Sequence, residues 1–141
     1  MTVKEYLGQA YSPERRIDSK LALLSSLKNM ATKTTSVMND TVVARTRNVH
    51  SMEDTIAKII DMQEEINADI DALVDLKREI LSCIRAVADP EYQMLLEQRY
   101  LCFQPWEKIA ESLGYSINNI YRMHSKALGE VIIPKVESSE Q

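Results

Sequence analysis

The sequence predicts an all-α protein: an N-terminal arm of long helices, built as a helical hairpin or a coiled coil, followed by a C-terminal three-helix unit containing a helix-turn-helix. Three observations carry this. Glycine and proline are scarce, three and four in 141 residues, while Leu, Ile, Ala, Glu, Lys and Met abound, which favours helix. From Met52 to Ala88 apolar residues recur every three or four positions, the spacing of one helix face. Trp106 to Leu128, WEKIAESLGYSINNIYRMHSKAL, reads as two short helices around a glycine turn. The expected layout is an arm over 1–89 with a connector at about 31–51, a helix-turn-helix unit over 90–134, and a flexible tail over 135–141.

Thr2 to Ala10 suits a short helix, and Ser12-Pro13-Glu14 reads as a second start, with serine as cap and proline in the first turn. From there Ile17, Leu21, Leu24 and Leu27 follow helical spacing towards Met30, and Leu23 broadens the stripe. The polar side bears Arg15, Arg16, Lys20 and Lys28, which can touch DNA but more readily solvate the face or pair with the acidic segment. Ala31 to Ser51 is rich in Thr, Ser and Asn and has no sustained apolar period, so it reads as a connector with local mobility, with room for a helical turn or two around Val42 and Val43.

In the long segment Ile56, Ile59, Gln63, Ile66, Ile70, Leu73, Lys77, Ile80, Ile84 and Val87 form a heptad seam. At ~1.5 Å per residue the helix runs on the order of 50 Å, too long for the C-terminal unit alone to cover. It needs a partner: the N-terminal helix of the same chain folded back, or the same helix of a second copy. Gln63 and Lys77 interrupt the seam, either fixing register or, for Lys77, laying an aliphatic stem over apolar neighbours. Asp89-Pro90-Glu91 then ends one helix and caps the next. That next helix, Glu91 to Cys102, should bury Met94, Leu95, Tyr100 and Leu101.

In the Trp106 stretch, Ile109, Ala110 and Leu113 share one face, and Gly114 supplies the left-handed residue that ends the helix. Ser116 caps the following helix, whose inner face holds Ile120, Met123, Ala127 and Leu128. Ala110 is small where the helices cross, and Tyr115 can plug the turn. Helical geometry then turns Ile117, Asn118, Tyr121, Arg122 and Ser125 outward. No acid lies between Glu111 and Glu130, so this face suits double-stranded DNA. Asn118 can bond adenine, Arg122 guanine, and Ile117 a thymine methyl, while Ser125 and Lys126 can hold phosphates, and Ser116 at the helix start belongs to the same DNA-binding set.

The net charge of −4 excludes a protein coated in basic residues, so DNA contact must come from a local patch. The arm is asymmetric: Ser12 to His50 has seven Lys/Arg against three acids, and Ser51 to Asp89 has four against ten. Cys83 and Cys102 show no metal-ligand spacing and read as small hydrophobes. No metal, cofactor or catalytic constellation is expected, and an enzyme is not indicated. His50 and His124 read as ordinary polar residues, His124 lying beside the outer face within reach of a phosphate. Neither a membrane span nor a signal-peptide core is apparent, which points to the cytoplasm.

The run LLEQRYLCFQPWEKIAESLGYSINNIYRMHSKAL resembles the C-terminal DNA-binding region of bacterial sigma factors in its Arg99-Tyr100 pair, its IAESLGYS core and its closing SKAL. More closely it resembles small phage and prophage transcription regulators of the RinA and ArpU type, in which such a helix-turn-helix follows long helices. The resemblance implies activation of late phage genes, with Asn118, Tyr121 and Arg122 as base readers and Lys126 on phosphate. It leaves RNA polymerase and a second copy of the chain as partners for the arm. It does not imply a stand-alone sigma factor, because nothing resembles the segments that melt promoters or clamp the polymerase core. The other function class that suits the pattern is a helical structural or assembly protein, such as a phage packaging or scaffold component, binding protein rather than DNA.

Overall fold

The computed structural model describes the backbone of residues 1–36 and 42–134 and the side chains of 1–33 and 52–134. The expected tail over 135–141, the centre of the connector at 37–41 and the side chains of Arg45, Arg47 and His50 lie outside them. Six α-helices follow one another among the described residues: α1 Val3–Leu7, α2 Tyr11–Ser36, α3 Val42–Arg85, α4 Pro90–Tyr100, α5 Trp106–Leu113 and α6 Ile117–Glu130. The fold is all-α. No helix among the described residues is long and apolar enough to cross a membrane.

Local chemistry explains most of the boundaries. Thr2 and Glu5 form a reciprocal capping box at α1, each side chain accepting the other's backbone amide. Asp89 accepts the Glu91 amide at 2.9 Å, with Pro90 opening α4. Two boundaries differ from expectation. A 3-10 turn, Gly8–Ala10, feeds straight into α2, and the Tyr11 amide donates to the Gly8 carbonyl, so the helix starts before Ser12 and Ser12 is not its cap. The connector is also more helical than its composition suggests: α2 continues to Ser36, and the helical turns expected around Val42 and Val43 are the start of α3 itself, which runs on from Val42 without a break. Without glycine or proline, β-branched residues cost a helix only tenths of a kcal/mol each, and the Thr32 hydroxyl donates to the Lys28 carbonyl at 3.1 Å.

The chain divides into two compact units, residues 13–72 and residues 1–12 with 73–141. In the first, α2 and α3 are neighbours: Ile17, Leu24 and Ile66 are buried, and the Lys20 ammonium bridges Asp69 and Glu65, the latter at 3.3 Å. One of the basic residues of α2 thus pairs with the acidic segment, as the charge asymmetry suggested. The heptad seam is corrected here. Ile66 is buried and Ile59 half-buried, but Ile56 and Ile70 are exposed. A straight α-helix drifts about 20° per heptad from a strict 3.5-residue repeat, so a seam that looks continuous in sequence spreads over two faces.

The second unit is built on Leu7, Ile80, Ile84, Leu95, Leu96, Ile109 and Ile120, all fully buried. Helices α4, α5 and α6 pack pairwise. Leu95 and Tyr100 are inside as expected, but Met94 is exposed and Leu96 takes its place, because α4 is covered by two helices and so buries adjacent residues. Lys77 fixes no heptad register here: its ammonium donates to the Leu101 carbonyl at 3.0 Å and lies 5.2 Å from the Phe103 ring centre. A cation thereby closes the carbonyl end of α4. Phe103 itself is left-handed, at φ 53°, a conformation that costs a non-glycine residue about 1 kcal/mol; its ring packs edge-on against Tyr11 at 5.4 Å.

Candidate nucleic-acid interface

The turn between α5 and α6 follows from two residues. Gly114 adopts φ 76°, and both its amide and that of Tyr115 donate to the Ala110 carbonyl, at 2.9 and 3.0 Å. Ser116 then accepts the Asn119 amide at 3.2 Å through its hydroxyl oxygen, starting α6. Ala110, at the crossing, is buried. Tyr115 does more than plug the turn: its hydroxyl donates to the Glu91 carboxylate at 2.6 Å, tying the turn to the first turn of α4. That bond raises the Tyr115 pKa.

Nothing lies within 4 Å of a Cβ built on Gly114, so Gly114→Ala tests backbone conformation alone. Chemical denaturation should show a loss of about 1 kcal/mol. No loss would mean that the turn does not depend on the left-handed residue.

The outer face of α6 is set by what its inner face buries. Ile120, Met123, His124 and Ala127 are inside, which leaves Asn118, Tyr121, Arg122, Ser125 and Lys126 exposed. Ser116 is exposed with its hydroxyl proton still free to donate to an anion, and Ile117 is half-buried. All seven candidate residues therefore fall on or beside one surface, about 20 Å long from the 14-residue rise of the helix. Among the described residues neither Arg122 nor Lys126 enters an ion pair, and no acid occupies the first turn of α6. The helix N-terminus and two free cations thus give the surface a positive potential despite the acidic chain.

Tyr121 is only partly available. Its ring packs edge-on against Trp106, 5.6 Å between centres, and 44% of the residue is exposed. Trp106 is the brace of the whole surface: the Arg99 guanidinium lies 4.2 Å from its ring centre, and His124 packs edge-on at 4.7 Å. Arg99 also donates to the Gln104 carbonyl at 3.2 Å, holding the turn that leads into α5. Sequence spacing did not foretell this link, since Arg99 and Trp106 sit on different helices; the only hint was the cation before an aromatic turn.

His124 is corrected. It is buried, stacks on Tyr100 and shares a 2.6 Å hydrogen bond between its Nε2 and the Tyr100 hydroxyl. Burial, with Lys4 and Arg99 nearby, lowers its pKa to about 4, so the ring is neutral at pH 7 and the imidazole tautomer sets which of the two groups donates. Its place one turn after Ile120 sets it on the inner face, out of reach of phosphate. Cys102 is also corrected: it is exposed just past α4, whereas Cys83 is half-buried beside the Tyr6 hydroxyl, with 3.8 Å between sulfur and oxygen. Burial and the contact with Cys83 push the Tyr6 hydroxyl up to about 12. Among the described residues no group of His, Cys, Asp and Glu could hold a metal ion.

A family model described as "Protein of unknown function (DUF1492)" matches residues 31–131, a span that takes in all of α3, α4, α5 and α6. No curated protein and no solved structure matches the chain.

Proposed function

The chain belongs to the DUF1492 family, and we propose that it is a sequence-specific DNA-binding transcription regulator whose α6 enters the major groove. The observation that carries this reading is the outer face of α6: polar, free of acid, bearing two cations that form no ion pair among the described residues, and held by a buried inner face. In this arrangement α5 and α6 act as a helix-turn-helix. Asn118 and Arg122, one turn apart, reach base edges, Ile117 meets a thymine methyl, and Ser116, Ser125 and Lys126 hold phosphates. Tyr121, braced on Trp106, offers its exposed edge and hydroxyl rather than a freely moving ring. The resemblance to phage and prophage regulators extends the proposal to late-gene activation in the cytoplasm of a host, with the α2–α3 arm meeting RNA polymerase or a second copy.

The test is retention of the purified protein on a random-sequence duplex pool at two salt concentrations. An enriched motif whose retention falls steeply with salt is the expected result, because phosphate contacts release counterions. Arg122→Ala should cost about 1 to 3 kcal/mol and relax the preference at one base pair, leaving the helical content unchanged because the residue is exposed. No enrichment at either salt concentration would sink the reading. A second reading, a helical assembly protein, is favoured by one observation, the exposed apolar side of α3; self-association without DNA retention would be its outcome.

A further inference from the structure

Helix α3 carries a second heptad stripe that the described residues leave open. Within the 13–72 unit, Ile56, Ile60, Gln63, Asn67 and Ile70 follow steps of four, three, four and three, and all five are exposed; the three isoleucines show 43, 50 and 37% of their surface. The face that meets α2 is a different one, marked by Ile59, Ile66 and the Asp69 carboxylate held by Lys20. Isoleucine in water at a coiled-coil spacing is a face without its partner.

We infer that this stripe binds the same stripe of a second copy of the chain, with the two α3 helices antiparallel and a two-fold axis at the level of Glu65. The occupant is set by the order of residues. Reversed about position 65, Ile60 falls on Ile70 and Gln63 falls on Asn67, so apolar meets apolar and amide meets amide. In heptad terms each pair joins an a position to a d position, which is the pairing of antiparallel helices. The amide pair sits next to the axis, where Gln63 and Asn67 can exchange hydrogen bonds across the two copies. Polar residues at such positions fix register and orientation at some cost in stability.

Helix α2 adds a matching element. The bonds from Lys20 to Glu65 and Asp69 bring this part of α2 level with the centre of the stripe. Leu21, the next residue, points to the flank of α2 opposite Lys20 and is 43% exposed. It therefore lies beside the axis, where the two copies of the residue approach one another. Glu64 and Asp71 flank the stripe on its outer side and stay in solvent, where salt screens them. The inference does not rest on DNA binding by α6, which lies on a different unit.

The experiment is sedimentation of the full-length chain and of three variants over a range of concentrations, with circular dichroism as the check on folding. The wild-type chain should sediment as a dimer. Ile60→Glu and Ile70→Lys should each weaken association at least about tenfold while leaving the helical signal unchanged, because both residues are exposed. The double variant, Ile60→Glu with Ile70→Lys, should recover the dimer, since in the antiparallel arrangement each introduced acid faces an introduced base of the other copy. A monomeric wild-type chain, or single variants that still dimerise, would overturn the proposal. So would a double variant that stays monomeric, because parallel pairing would set like charges against each other.

Discussion

Replacing Ile120 by alanine is expected to cost the C-terminal unit about 3 kcal/mol, a large part of the stability of a unit of this size. Ile120 is fully buried, as are Leu95, Leu96 and Ile109 in the helices around it, and α4, α5 and α6 all pack on one another. Trimming it removes about 2 kcal/mol of transfer energy and leaves a cavity that three mutually braced helices cannot close. Urea denaturation of the full chain measures the loss. Under the proposed DNA-binding reading a second effect follows: with its inner face loosened, α6 no longer holds Asn118 and Arg122 in fixed relation, so retention on DNA should fall with the melting temperature. A loss below about 1 kcal/mol would show that the surface is not positioned by this residue.

The second large effect is one of pH. His124 is neutral in the fold, its pKa lowered to about 4 by burial and by Lys4 and Arg99, whereas in the unfolded chain it titrates near 6.5. The unfolded state therefore binds the proton first. The stability associated with the neutral ring is fully present above pH 6.5. It is lost progressively as pH falls towards 4, and the gap between the two values corresponds to about 3 kcal/mol. His124→Gln, whose amide can accept from or donate to the Tyr100 hydroxyl, should remove this part of the pH dependence. The measurement is stability against pH for both proteins between pH 7 and 4, in which carboxylates common to both cancel. Parallel curves would mean that the ring protonates without cost.

Local features were legible in the sequence because their physics is local. Gly114, Ser116 and Asp89 act through backbone bonds to residues two to five positions away, and the same short range makes the outward set on α6 a matter of counting. Tertiary choices were not legible. Which of Met94 and Leu96 is buried depends on how many helices cover α4, and a histidine one turn after Ile120 can be an exposed polar residue or a neutral core residue. The seam of α3 was misread for another reason: steps of three and four specify a stripe only to within the drift of the helix, so two faces were merged into one. Lys77 belongs to the same class, since its partner, a carbonyl at the end of α4, carries no side-chain signature.

The second unit is closed at two very different sequence ranges. The α4 and α6 helices meet through residues 24 apart, as in the Tyr100–His124 bond, while the N-terminal segment joins through Tyr6 and Cys83, 77 residues apart. The entropy of closing a loop grows as (3/2)RT ln n, so the longer closure costs about 1 kcal/mol more than the shorter. The helical trio is joined by near neighbours, and residues 1–12, with Leu7 and Ala10 fully buried, bear the greater closure cost. The core of this unit therefore joins contacts of very different sequence range, and a substitution at Leu7 tests the long-range part of it by itself.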